Sequence, residues 1–311
     1  MRLVATLGGI AIVAVPIAAA LVLREPTRAP ASSEARPATN VSAGFPAPPS
    51  GAVVYSRQAG SDALALGVVP RRGSILLQAS VIGPQGRGIR GLTVDFVVQR
   101  VSARATACGP GCYGAALTMN GRPAAVKVAV RRGSRTIHWR VTLPATWPPP
   151  DATTLIERAE HVWRSLHSLT FHEQLASDSR PPLESAWRVE APDRVAYQVK
   201  HGWAGVVIGE RRWDRSPGAA RWVASPQTRL SQPVPTWVAA VDAHVLGAGT
   251  VRGHPVWRIS FFDPGTPGWF EIALERKTLR TLETHMITAS HFMFDAYSAF
   301  NASPVITQPV P

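Results

Sequence analysis

The chain has 311 residues, 45% hydrophobic and 17% charged, a length that suits two domains and a composition that excludes wholesale disorder. The formal net charge is +13, yet only Lys127, Lys200 and Lys277 are lysines, and the arginines stand singly or in pairs such as Arg71-Arg72, Arg131-Arg132 and Arg211-Arg212. With no long run of like charge and no basic-aromatic interleaving, no nucleic-acid partner is expected; the arginine excess fits a GC-rich genome and leaves a weak attraction to anionic lipid.

Residues 3–23, LVATLGGIAIVAVPIAAALVL, carry no charge and are long enough to cross a bilayer. A retained signal anchor and a signal peptide cleaved near Ala18-Ala19-Ala20 both account for them; the length favours a single-pass transmembrane anchor. Either places the bulk of the chain outside the cytoplasm, at the cytoplasmic membrane. Arg2 on one side and Arg24 and Arg28 on the other give little positive-inside signal. Residues 24–50, rich in Pro, Ala and Ser, predict an extended, semi-rigid linker.

Residues 51–146 read as short strands separated by turns. In GLTVDFVVQRV, the residues Leu92, Val94, Phe96 and Val98 share one face. In AAVKVAVRR, the residues Val126, Val128 and Val130 alternate with polar neighbours, as a half-buried antiparallel strand requires. Six or seven such runs predict a two-sheet β-sandwich. Cys108 and Cys112 flank Gly-Pro-Gly, a tripeptide that reverses the chain and lets the two Cβ atoms meet. An exported chain would join them in a disulfide; a thiol redox or copper pair is the rival. His138, alone on a strand, reads as an outward or satisfied histidine. The Gly-rich turn in GRGIRGLTVDFVV and the Gly-Cys-Tyr-Gly before the next strand resemble the YtkA-like domain of bacterial envelope proteins. That resemblance implies an immunoglobulin-like sandwich and carries over no catalytic residue.

Residues 151–307 form the second region. Thr154 with Glu157 predicts a capping box. Leu155, Ala159, Val162, Trp163 and Leu166 then form the apolar stripe of a helix running to about Leu169. His161 and His167 lie on different faces of it and cannot share a metal. From Phe171 strands dominate, interrupted by an irregular or helical piece at 232–247. Trp187 with Val189, then Val195 with Tyr197 and Val199, then Trp257 with Ile259 and Phe261, then Phe270 with Ile272 and Leu274, each share a face. A helix followed by a meander of long strands predicts a curved sheet wrapped on helical cover. The order APDRVAYQV, VVIGERRWDR, GWFEIALERKTLRTLETHM and the closing DAYSAFN resembles the LolA/LppX-like lipoprotein-carrier superfamily over about 150 residues. The resemblance implies a half-barrel whose concave side shelters acyl chains. On that reading Trp187, Tyr197, Trp257, Phe261, Phe270 and Ile272 line a cavity for an apolar ligand; on the other they fill a solid core.

No G-x-S-x-G, P-loop, H-E-x-x-H or dinucleotide-binding glycine set occurs, and no tuned acid or base can be nominated, so no enzyme is expected. His285, Met286, His291 and Met293 are residue types that bind copper. The sandwich followed by LETHMITASHFMFDAYSAFN also resembles the extracytoplasmic tail of actinobacterial CopD-type copper-resistance proteins. Copper binding requires His285, His291 and one of the two methionines on one face; alternation would instead pack Met inward and His toward water. The chain is thus expected to be mainly β: a membrane-anchored extracytoplasmic binding protein for lipid or lipoprotein acyl chains. The alternatives are a copper accessory protein or a non-catalytic scaffold for a membrane-protein partner, and no resident cofactor is otherwise expected.

Overall fold

The computed structural model describes residues 44–310, which lie within one compact unit. The apolar segment 3–23 and residues 24–43 of the proline-rich stretch lie outside the described residues. Among the described residues no helix is long and apolar enough to cross a membrane.

The fold is mainly β. The first strands are β1 (Val53–Ala59), β2 (Asp62–Arg71), β3 (Ser74–Ile82), β4 (Thr93–Val98), β5 (Val101–Arg104), β6 (Thr106–Gly109), β7 (Cys112–Thr118), β8 (Ala125–Arg132) and β9 (Arg135–Thr142). They form two antiparallel sheets, of order β1-β2-β3-β7-β6 and β5-β4-β8-β9. The expected alternation holds: Val94, Phe96, Val98, Val126, Val128 and Val130 all point into the shared core. Strands β5 and β6 are additional to the expected set. Their side chains are largely exposed, so they carry no apolar period to read. His138 is exposed on β9.

The second region comprises α1 (Thr153–Ser165), β10 (Ser168–Ala176), β11 (Leu183–Glu190), β12 (Arg194–Val199), β13 (Ala204–Ile208), β14 (Arg211–Arg215), β15 (Val223–Pro226), β16 (Val241–Val251), β17 (His254–Asp263), β18 (Gly268–Glu275), β19 (Thr281–Thr288) and β20 (His291–Ser298). The strands make one antiparallel sheet of eleven, ordered β15-β14-β13-β12-β11-β10-β20-β19-β18-β17-β16. Helix α1 packs on one face through Ile156, Ala159 and Trp163, against Ile259, Phe261, Phe270, Ile272 and Tyr297.

Three expectations are corrected. The Thr154–Glu157 capping box does not form, because the helix begins two residues earlier, with Ala152 at the N-cap; Asp151, just before it, accepts from the Thr153 N–H at 3.0 Å and its hydroxyl at 3.1 Å. The helix stops at Ser165, four residues short of Leu169, because Leu166 turns extended and Leu169 is needed on β10 opposite Val189. Of the piece at 232–247, the part from Val241 onward is strand, paired with β17.

Residues 44–50 are not a free spacer either. Phe45 stacks against Phe262 and Trp269, with ring centres 5.8 and 5.5 Å away. The Ser80 hydroxyl donates to the Pro46 carbonyl at 2.6 Å, and the Gln78 amide donates to that of Ala47 at 2.7 Å. Here the sandwich meets the back of the large sheet: Ala52, Val54, Ala63, Ala65 and Ile82 bury against Phe262, Trp269 and Phe292. The continuous apolar seam means that the two β regions fold against each other.

Candidate functional site

Register defines the site. Tyr297, Phe171, Trp187, Tyr197, Gly205, Asp214 and Val223 are successive cross-strand partners from β20 to β15. They therefore occupy one row on the inward face, the face that α1 covers. The rings run on from one another. Tyr297 to Phe171 is 5.4 Å, Phe171 to Trp187 is 5.5 Å with the planes 3° apart, and Trp187 to Tyr197 is 4.8 Å. Gly205 closes the row because a Cβ there would lie 2.3 Å from the Tyr197 ring; only glycine lets the tyrosine lie flat across β13. The Tyr197 hydroxyl accepts from Arg212 Nη2 at 3.0 Å, and Arg212 Nε is paired with Asp214 at 2.8 Å.

Cover thins along the row. Tyr297 is 1% exposed beneath Trp163, whereas Val223 is 69% exposed. Leu183, opposite Leu175 on the inward face, is 56% exposed. Trp203 faces Val199 across the β12–β13 turn and is 47% exposed. Along this row the inward face of β11–β15 is thus an open, aromatic-floored groove, while Val189, Val195 and Val207 on the same face are buried. Three of these residues, Leu183, Trp203 and Val223, number among the few large apolar side chains exposed in the described chain, which marks the patch as one a ligand would cover.

The six residues expected to line a cavity divide. Trp187 and Tyr197 are half-buried and floor the groove. Phe261, Phe270 and Ile272 do not line a hollow: all three are at most 1% exposed, so no void that admits water touches them. Phe261 stacks on Phe270 at 5.1 Å and takes the edge of Trp237 at 5.4 Å. Trp257 lies at the far end of the same face, beneath the Arg276 guanidinium at 3.8 Å. Sequence reasoning missed Phe171, Leu183, Trp203 and Val223. Phe171 was legible in principle, since Leu169, Phe171 and Leu175 alternate.

A polar cluster sits beneath the row. Glu173 and Asp295 are cross-strand partners, both buried. Glu173 accepts from the Ser185 hydroxyl at 2.8 Å and from Trp187 Nε1 at 3.2 Å. Burial nonetheless holds its carboxyl above the usual range, against those two bonds and the nearby His291. Asp295 accepts from the Tyr297 hydroxyl at 2.8 Å. Burial, and then the charge of Glu173, push its carboxyl well up. Asp295 Oδ1 and the Oγ1 of its neighbour Thr284 have no partner among the described residues.

The hairpin separates the four candidate metal ligands. Met286 pairs with Met293 and Thr288 with His291, so these three ligand types share the inward face. His285 pairs with Phe294 and meets its ring at a tilt of 45° with the centres 4.5 Å apart, on the opposite face. A β-sheet places neighbouring side chains on opposite sides, so His285 cannot join the other three. Both methionines are packed in the core under α1, and no group of three His, Cys, Asp or Glu placed to hold a metal occurs among the described residues. Cys108 and Cys112 are joined in a disulfide across the Gly109–Gly111 reversal, with Cα atoms 5.0 Å apart.

No family model matches the chain, and no curated protein matches it in sequence. Several solved structures resemble it. The lipoprotein LppX of Mycobacterium tuberculosis is 11% identical, with a TM-score of 0.41 over 50% of this chain and 97% of that one. LprF of Mycobacterium bovis is 9% identical, with a TM-score of 0.38 over 52% and 100%. A LolA superfamily protein of Nitrosomonas europaea is 11% identical, with a TM-score of 0.24 over 50% and 95%.

Proposed function

We propose that this protein binds an acyl chain, as free lipid or as lipoprotein lipid, in the groove over β11–β15, outside the cytoplasm and without chemical turnover. One observation carries the reading: an inward row of stacked aromatics leaves the core and continues, uncovered, into Trp203, Leu183 and Val223. The aromatic floor of Phe171, Trp187 and Tyr197, edged by Leu183, Trp203 and Val223, offers apolar area for a chain of methylenes, and the Tyr197–Arg212–Asp214 cluster is a polar point in the same row. Each methylene buried there contributes about 0.8 kcal/mol, so a chain of about sixteen, worth about 13 kcal/mol, would supply micromolar binding, about 8 kcal/mol, after about 4–5 kcal/mol of association cost. The disulfide fits an oxidising compartment, and the apolar segment 3–23 is the element that would deliver the chain there and hold it at the membrane.

Bromine quenches tryptophan fluorescence at contact range, which makes a brominated stearate the direct probe. Added to the full chain in non-ionic detergent, it should quench part of the emission saturably, and Trp187→Phe with Trp203→Phe should remove most of that part. Quenching that never saturates, or that survives both substitutions, rules the groove out.

A further inference from the structure

At the other end of the large sheet, the β16–β17 turn and the β18–β19 loop enclose a pocket of about 670 Å³. Its charge is one-sided. Arg252, Arg276, Lys277 and Arg280 line it with Glu275 as the sole carboxylate, and Glu275 is already committed. It accepts from His254 Nδ1 at 2.7 Å and from the Thr278 hydroxyl. Burial raises its carboxyl, but those two bonds and the charges of His254 and Arg280 outweigh burial and hold it below the usual range. Among the described residues none of the four cations has a carboxylate within 4.0 Å.

Three of the cations are held in place by groups that do not neutralise them. Arg252 Nη2 donates to the carbonyls of Leu282 at 3.1 Å and Tyr297 at 2.6 Å. Arg276 lies over Trp257, its guanidinium carbon 3.8 Å from the ring centre, and donates through Nε to the Val256 carbonyl at 3.3 Å. Arg280 stands over the Phe300 ring at 5.1 Å. An aromatic face fixes a guanidinium's plane and leaves its N–H edge free for an oxyanion. Leu282 and Phe300 add an apolar wall beside these edges.

We propose that this pocket binds the phosphate of an anionic amphiphile, with the apolar wall taking the first carbons of its chain. The oxyanion meets N–H donors on four cations, three of which are already held by neighbouring groups, so less ordering remains on binding. Apart from Tyr297, the covered end of the aromatic row, no residue belongs to both sites, so the two stand or fall separately.

The test titrates the full chain in non-ionic detergent with dihexanoyl phosphatidic acid, dihexanoylglycerol and inorganic phosphate. Dihexanoyl phosphatidic acid should bind at least about tenfold more tightly than either of the others. Lys277→Gln with Arg280→Gln should weaken it by about tenfold while the melting temperature holds, and Trp187→Ala should leave it unchanged. Equal affinity for dihexanoylglycerol removes the phosphate from the reading, and equal affinity for inorganic phosphate removes the chain; either overturns the proposal. Indifference to the double substitution overturns it as well. Should that variant fail to fold, salt decides on the unmodified chain: affinity that does not fall between low and high ionic strength is incompatible with an anion site.

Discussion

The eleven-stranded sheet presents one inward face under two conditions. Over β16–β20, helix α1 and the Trp237 side chain cover it, and Phe261, Phe270 and Ile272 are sealed off from water. Over β11–β12 the alternation of large apolar residues continues, but Trp187 and Tyr197 are half-buried and Leu183 and Trp203 are exposed; beyond them the inward positions turn mixed, with Gly205, Arg212 and Asp214 before the exposed Val223. Between Phe270 and Trp187 residue type is not the difference; cover is. A helix of 13 residues is about 20 Å long, while eleven strands span about 48 Å. Less than half of the sheet can lie under the helix, whichever way it runs. A concave apolar face becomes solid core where a partner element reaches it and remains a binding surface where none does.

That contrast can be broken by substitution. Phe270→Ala, in the covered half, leaves a cavity against Phe261 and should cost about 3–5 kcal/mol of unfolding free energy, with the denaturant midpoint as the readout; a loss below about 1 kcal/mol would mean that the core is loose. Gly205→Ala, in the open half, drives a methyl into the Tyr197 ring. Overpacking of that kind should cost about 1–3 kcal/mol, or less if Tyr197 swings off the row into the groove, in which case acyl binding should change with it. Trp187→Ala should cost less stability than Phe270→Ala, because its ring is already half in water, yet weaken brominated stearate by at least about tenfold. The reverse ranking, with Trp187 the more damaging to folding, would make the open half core as well.

The strands of both regions were legible because alternation is a local signal. Val94, Phe96 and Val98, or Trp257, Ile259 and Phe261, need no tertiary knowledge to share a face. The Cys108–Cys112 bridge was legible for a similar reason: Gly-Pro-Gly constrains the chain between them. What the sequence could not disclose was which inward residues are covered. Trp187 and Phe270 look alike in their strands, and their difference arises from where α1, ending at Ser165, happens to lie. The hairpin illustrates the same limit. His285, Met286, His291 and Met293 form a suggestive cluster on paper, and a single fact of register, Met286 opposite Met293, sends His285 to the other side. Residues 44–50 read as linker from composition, since nothing local shows that Phe45 finds Phe262 and Trp269. The basic pocket was invisible because Arg252, Arg276 and Arg280 are dispersed among turns that only the fold brings together.

The smallest effect probes the seam between the two halves, where Glu173 and Asp295 stand side by side. Burial raises both carboxyls, and Glu173 raises Asp295 further. In the unfolded chain these groups lose their protons near about pH 4; in the folded chain they keep them to higher pH. Over that interval the folded state binds more protons, so this pair's contribution is complete below the unfolded value and is lost as pH rises through the folded values. Asp295→Asn removes one member and relieves Glu173. Its amide oxygen can still accept from the Tyr297 hydroxyl, and its NH2 can donate to the unpartnered Thr284 Oγ1. The difference in melting temperature between the Asn variant and the parent should therefore grow in the variant's favour from about pH 4 toward neutrality, even while carboxylates elsewhere, such as Glu275, push both proteins the other way. Parallel curves would mean that Asp295 ionises freely, and so that water reaches the seam from the groove. The boundary between core and binding surface would then lie at β20 rather than at β11.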